Sequence, residues 1–227
     1  MSDALPMFPL NAVLFPGVSV PLTVFEDRYR ALVHHLLRVE DPEERVFGSV
    51  GIREGYEIGD HGAQSLFRVG CRVQLTEVEA KPDGTFDIVA VGLERIELER
   101  LETGGLFPVG HVVDRPEVPG YVPDHVLERA RATFTAYRAA LAEIRTDPYA
   151  GSLPKDPTYL SWTLAAVAPL PLQERQALLE AVGVRAGVVR VLVQREGDAG
   201  AGEREGGRRP ARPGRPPPAP AGHCADA

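Results

Sequence analysis

Few residues in this chain stand where chemistry would need them. A serine nucleophile on a strand-to-helix elbow has glycine two positions before and two after it. Ser49 has Gly51 behind it, but Phe47 occupies the earlier position. Cys71 belongs to an alternating run, Val69, Cys71, Val73 and Leu75, where a small thiol packs rather than reacts. His34 and His35 are neighbours on a predicted helix and so point about 100° apart. His61, His111, His125 and His223 are scattered, and neither His-Glu-x-x-His nor Cys-x-x-Cys occurs, so no zinc set is legible. The acid pairs Glu43/Glu44 and Glu57/Asp60 lie in polar stretches, where a carboxylate keeps its ordinary pKa. Neither lysine, Lys81 or Lys155, follows a glycine-rich loop, and no Gly-x-Gly-x-x-Gly opens a helix, which leaves phosphate chemistry without equipment. The sequence thus offers no catalytic residue, no metal site and no cofactor site.

The elements that would hold any site are those of an ordinary folded chain. It has 227 residues, 44% of them hydrophobic and 25% charged, enough to bury a substantial core. Acids outnumber bases 32 to 25, the wrong balance for tracking phosphates, so no nucleic-acid partner is expected. All but two of the bases are arginine, which reads as the imprint of a GC-rich genome. Cys71 and Cys224 are far apart and the second lies in a segment that reads as unfolded, so no structural disulfide is expected and a reducing cytoplasm suits the chain. The apolar stretch 5–25 carries Pro6, Pro9, Pro16 and Pro21, has Asn11 within it, and meets its first base only at Arg28. It reads as neither a secretory signal nor a membrane span, and the expected location is cytoplasmic.

Hydrophobic period divides the chain. From about Val18 to Arg115 it is mostly two-fold, with strand candidates at 18–24, 46–52, 69–75, 93–101 and 107–114 and a further run through Phe86 and Ile88. Lys81-Pro82-Asp83-Gly84 predicts a hairpin turn, because proline presets the bend and glycine accepts positive φ. One helix interrupts this half over 26–39. Tyr29, Leu32, Val33, Leu36 and Leu37 share its apolar face, and Asp27 is its expected N-cap. From 123 to 145 the spacing of Leu127, Ala130, Phe134, Tyr137, Leu141 and Ile144 predicts a long helix, and shorter ones follow at about 156–168, 171–182 and 185–195. Pro171 suits a first helical position and Gly183 a stop. Residues 197–227 contain 7 Gly, 6 Pro and 7 Ala but no large apolar side chain. With nothing to bury they are expected to be disordered, although Arg208 to Pro218 offers an alternative as a polyproline ligand or anionic tether.

The opening carries the most information. Leu5-Pro6-Met7-Phe8-Pro9-Leu10, Val13-Leu14-Phe15-Pro16-Gly17, Val20-Pro21-Leu22 and Phe25-Glu26-Asp27-Arg28-Tyr29-Arg30 resemble the start of the Lon protease N-terminal (substrate-binding) domain family. Val69-Gly70-Cys71, the Pro82-Asp83-Gly84 turn, Val91-Gly92 to Arg95, Leu160-Ser161-Trp162 and Gln173 to Glu180 keep the family's order, over about residues 4–196. The resemblance implies an α+β protein. Residues 1–118 would form a PUA-like β-barrel domain with one helix, 119–196 a helical bundle, and 197–227 the tail. It also implies a stand-alone module without the family's ATPase and peptidase portions. Pro154-Lys155-Asp156-Pro157-Thr158 faintly echoes the run around Lon's catalytic serine, but glycine and serine are missing, and it reads as a loop before a helix.

Read bottom-up, the prolines of 5–22 hold that segment extended while Leu5, Phe8, Leu10, Leu14 and Phe15 anchor it. Arg28 is expected to pair with Glu26 or an acid across the barrel. The function expected is non-catalytic: holding exposed apolar segments of unfolded or client proteins, with a protease or chaperone in trans. The candidate contacts are Phe15, Phe107, Tyr121 and Trp162, in a groove between barrel and helices. An overlooked peptidase or amidase, or a PUA-like RNA binder, are the rival readings.

Overall fold

The alternating runs become the strands of a single antiparallel sheet: β1 (Asp3–Pro6), β2 (Ser19–Val24), β3 (Val46–Ile52), β4 (Leu66–Ala80), β5 (Phe86–Glu102) and β6 (Val109–Asp114). Four helices accompany them, α1 (Asp27–Leu36), α2 (Asp124–Ala142), α3 (Pro157–Val167) and α4 (Leu172–Glu180), with a 3-10 turn at Pro42–Glu44. The computed structural model describes residues 3–53, 66–118, 120–143 and 152–181, all within a compact unit spanning Met1–Val193. Glu57, Asp60, His61, Ile144, Gly183, the expected helix at 185–195 and the whole segment 197–227 with His223 and Cys224 lie outside the described residues. No helix among the described residues is long and apolar enough to cross a membrane.

The strands run in the order β1-β6-β5-β4-β3, and β2 pairs with the first half of β5. The sheet closes because the chain after β1 turns onto β3. Met7 and Leu10 make parallel bridges to Gly48 and Gly51, the Phe8 and Leu10 amides donate to Gly48 and Val50, and Ile52 donates back to Leu10. The proline-spaced opening is therefore the closing strip of a barrel. Its expected anchors Leu5, Phe8, Leu10, Leu14 and Phe15 are all buried.

The hairpin between β4 and β5 turns at Gly84 with φ +82°. The run expected as a separate strand at 93–101 is instead the second half of β5. What the sequence shows there is a change of register. Cys71 pairs with Arg95 but Val73 pairs with Gly92, so β5 carries one residue more than β4, a bulge that flips the faces beyond it. Phe86, Ile88 and Ala90 accordingly join the core beneath α1, with Leu32, Val33 and Leu36. Ile96 and Leu98 join a second core on the other face, with Met7, Val50 and Val112.

Helix ends correct the sequence reading in small ways. The residue that caps α1 is Glu26; Asp27 is the first helical residue and accepts from Arg30 instead. The helix stops at Leu36, which leaves Leu37 exposed rather than on the buried face. Pro171 is itself the cap of α4, not its first residue, and its carbonyl accepts the Glu174 and Arg175 amides. The Pro154 to Thr158 run is a loop and a helix start, as expected. Asp156 caps α3 by accepting from the Thr158 and Tyr159 amides, and Pro157 opens it.

A third core joins helices to sheet: Val13 and Phe15 from the opening, Val69 from β4, Ala130 and Phe134 from α2, Trp162 and Leu164 from α3, Leu178 and Leu179 from α4. Two buried polar side chains set its geometry. Gln176 on α4 donates to the Val69 carbonyl at 2.9 Å and to Glu180. Arg95, only 1% exposed, donates to the Leu179 and Ala181 carbonyls at 3.0 and 2.9 Å and to Pro116 at 3.4 Å. It pairs with Glu117 at 2.7 Å and lies over the Trp162 ring. A cation against the last carbonyls of a helix satisfies acceptors that have no partner within it and opposes its dipole.

Two outcomes follow from these buried groups. Arg95→Met removes one side of a desolvated pair and uncaps α4, so denaturant unfolding should show a loss of about 3–5 kcal/mol. Burial already pushes the Glu117 pKa up while Arg95 holds it down. Losing Arg95 raises it further, and stability held by a raised carboxylate pKa is lost as pH rises; the deficit should therefore be smaller in acid than at neutrality. Burial pushes the Cys71 thiol up to about 12. Iodoacetamide at pH 8 should leave Cys71 unmodified in the native protein and label it in denaturant, as peptide mapping reads; labelling of the native site would contradict the packing. The stability that this neutral thiol contributes is present below about pH 9, its ordinary value, and is lost as pH rises from there toward 12.

Candidate functional site

A groove of about 550 Å³ runs between the opening strap and the helices. One wall is Val13 to Pro21; the other is Pro154 with Thr163, Ala166 and Val167 of α3 and Arg175 of α4. Sequence chemistry builds the first wall. Pro16-Gly17 turns the strap, with Gly17 at φ +71°, where a side chain would be strained. The Gly17 amide donates to Gly92 and the Gly92 amide to Val18, at 2.8 and 3.1 Å, which fixes the strap onto β5. The Tyr159 ring of α3 lies so close over Gly17 that a Cβ there would sit 2.5 Å from it. The separation of the two walls is therefore set by a glycine facing an aromatic ring.

At the base of the groove Phe15 stacks on Trp162, centroids 5.9 Å apart and planes 25° apart. Both are almost fully buried, so Phe15 serves the core and borders the groove at once. The Arg175 guanidinium stands 5.7 Å from the Phe15 ring, and burial pushes its pKa below the usual value. The lining is otherwise aliphatic, apart from the Ser19 and Thr163 hydroxyls and the backbone of β2.

Of the four candidate contacts Phe15 borders the groove, and Trp162 stacks behind it in the core without lining the groove itself. Phe107 lies elsewhere, against the His35 ring at 5.0 Å beside the core under α1. Tyr121 is 79% exposed ahead of α2 and does not border the groove. Aromatic type alone drew these two residues into the candidate set. Arg175, Thr163 and Ala166 were missed because they sit within helical runs whose periodicity speaks only for packing.

Residues considered for catalysis have structural work. The buried Ser49 hydroxyl donates to the Phe8 carbonyl at 2.9 Å and so helps to close the barrel. His34 meets the edge of Phe86, and His111 contacts Glu102 at the surface. Arg28 pairs with Glu26 at 2.9 Å, as expected, and covers the Tyr29 ring. Among the described residues no group of three His, Cys, Asp or Glu side chains converges to hold a metal ion.

Comparison with known proteins agrees with this architecture. A family model described as the ATP-dependent protease La (LON) substrate-binding domain matches residues 4–193. Lon protease 1 of Sorangium cellulosum is 30% identical over 186 residues, which take in 78% of this chain and 22% of that protein. Lon protease 2 of Herpetosiphon aurantiacus is 28% identical over 190 residues, with the same shares of each chain. The chain thus spans about a fifth of the length of the curated relatives it matches. The crystal structure of a Lon N-terminal domain protein from Xanthomonas campestris superposes with a TM-score of 0.61 at 25% identity, covering 84% of this chain and 98% of that one. The N-terminal domain of a Mycobacterium avium complex Lon protease, at 18% identity, shares the fold with a TM-score of 0.59, covering 84% and 96%. With an α+β fold of closed antiparallel barrel and packed helices, and a family match that runs from the closing strip past α4, this chain belongs to the Lon substrate-binding domain family.

Proposed function

We propose that this protein binds exposed apolar segments of other proteins, without catalysis, in the groove between the opening strap and helices α3 and α4. The observation that carries the reading is the groove itself: an open, largely aliphatic channel bordered by Phe15, which Trp162 backs from the core, with a strap and helix that fix its width. An extended or helical segment buries apolar anchors in such a channel, at roughly 25 cal/mol per Å² removed from water. In this reading the strap, within residues 1–118, supplies the barrel wall and helices α3 and α4, within 119–196, the helical wall. The module works in the cytoplasm, where it holds unfolded clients for a protease or chaperone in trans. Membership of a substrate-binding family supports the reading.

The test uses the lone tryptophan. Titration with a reduced, carboxymethylated protein should change Trp162 fluorescence and give saturable heat in calorimetry, whereas the same protein in its folded form should not bind. Ala166→Arg places a long side chain in the groove from a partly exposed helix position and should weaken binding at least about tenfold with thermal unfolding little changed. Binding that ignores this substitution would place the client elsewhere and overturn the assignment.

A further inference from the structure

The groove contains a cation that has no counter-ion among the described residues. Other well-placed arginines are paired: Arg72 with Asp3, Glu94 and Asp114, Arg95 with Glu117, Arg115 with Glu97. Arg175 has no salt-bridge partner among the described residues; its guanidinium lies against the face of Phe15. Acids outnumber bases in this chain, yet none among the described residues pairs with it. A half-buried guanidinium held against an aromatic ring has lost hydration without regaining it from an acceptor. A carboxylate arriving from outside would restore the loss with charge-assisted, bidentate hydrogen bonds.

Beside it lies an open strand edge. β2 pairs with β5 along Ser19–Val24, and among the described residues no strand pairs with its other side. The Val18 carbonyl accepts from Gly92 on the paired side, so by alternation Ser19, Pro21 and Thr23 turn their backbone groups to the open side. All three are exposed. Pro21, which has no amide to donate, fits only where none is needed. Ser19 and Pro21 border the groove, so an extended segment laid there meets backbone acceptors along its length and sends alternate side chains toward the helices.

We propose that Arg175 selects, among apolar segments, those that carry an acidic side chain: the segment lies extended along the open edge of β2 and its Asp or Glu reaches the guanidinium. The inference rests on the groove being the binding site. Charge complementarity favours a side chain within a continuing strand over a chain end, because the edge offers backbone partners on both sides of the acid.

Three short apolar peptides test it with the full chain. One is acetylated, amidated and has a central Glu; the second has Gln instead; the third keeps Gln but ends in a free carboxylate. The wild type should bind the Glu peptide about tenfold more tightly than the Gln peptide, and the ratio should shrink as salt rises. Arg175→Met should bring the ratio to one by weakening the Glu peptide about tenfold more than the Gln peptide. Arg175→Lys, which keeps charge but not the fork, should retain part of the ratio and serves if the Met variant does not fold. Equal binding of Glu and Gln peptides by the wild type overturns this inference and leaves the groove reading standing; no binding of either overturns both. An Arg175-dependent preference for the free carboxylate alone would assign the site to chain ends and overturn the side-chain assignment.

Discussion

One guanidinium within the fold decides where the helices can lie. Arg95 leaves β5 and reaches the terminal carbonyls of α4, the carbonyl of Pro116, the Glu117 carboxylate and the face of Trp162. Such a group cannot be left partly satisfied in a dry interior. The sheet, the connection out of β6 and the last two described helices must therefore take up one arrangement together. Gln176 repeats the device on a neutral scale by fixing α4 to the Val69 carbonyl.

That arrangement is what makes a groove. Apolar contact between α3, α4 and the strap would be served equally well by several sliding positions, because dispersion and burial have little directional preference. Hydrogen bonds from Arg95 and Gln176 remove that freedom, and the Gly17–Tyr159 approach sets the remaining gap. Phe15 is held between these constraints, one face on Trp162 and its ring beneath Arg175. A binding surface that shares an aromatic residue with the core is preorganised at little added cost in side-chain entropy.

Much of the architecture was readable from residue order, since period, proline spacing and caps are local. The alternation around Cys71, the turn at Gly84, the apolar stripe of α1 and the Asp156 cap all express preferences of a few neighbouring residues. What was not readable depends on pairing across the sheet. The bulge that separates Gly92 from Arg95 is a property of β5 against β4, and only it puts Arg95 on the face that α4 covers. In a single sequence an arginine within a strand reads as solvated. Phe107 and Tyr121 show the converse error: aromatic type suggested contact, yet one packs on His35 and the other stands in solvent. Arg175 was visible as a letter in a helical run, but its lack of an acid partner among the described residues is a fact of three dimensions.

The barrel closes through β1 and the proline-spaced strip that follows it. Asp3 is paired with Val112, and Leu10 with Gly51. During translation the strip that completes the wall leaves the ribosome before its neighbour in β6, by several seconds at about 5–20 residues per second. Through that interval Leu5, Phe8 and Leu10 have no finished wall to enter, and the prolines between them withhold the amides through which a foreign strand would pair. The spacing that keeps the opening extended in the native barrel thus also protects the nascent chain from edge-to-edge association while its apolar side chains wait for partners.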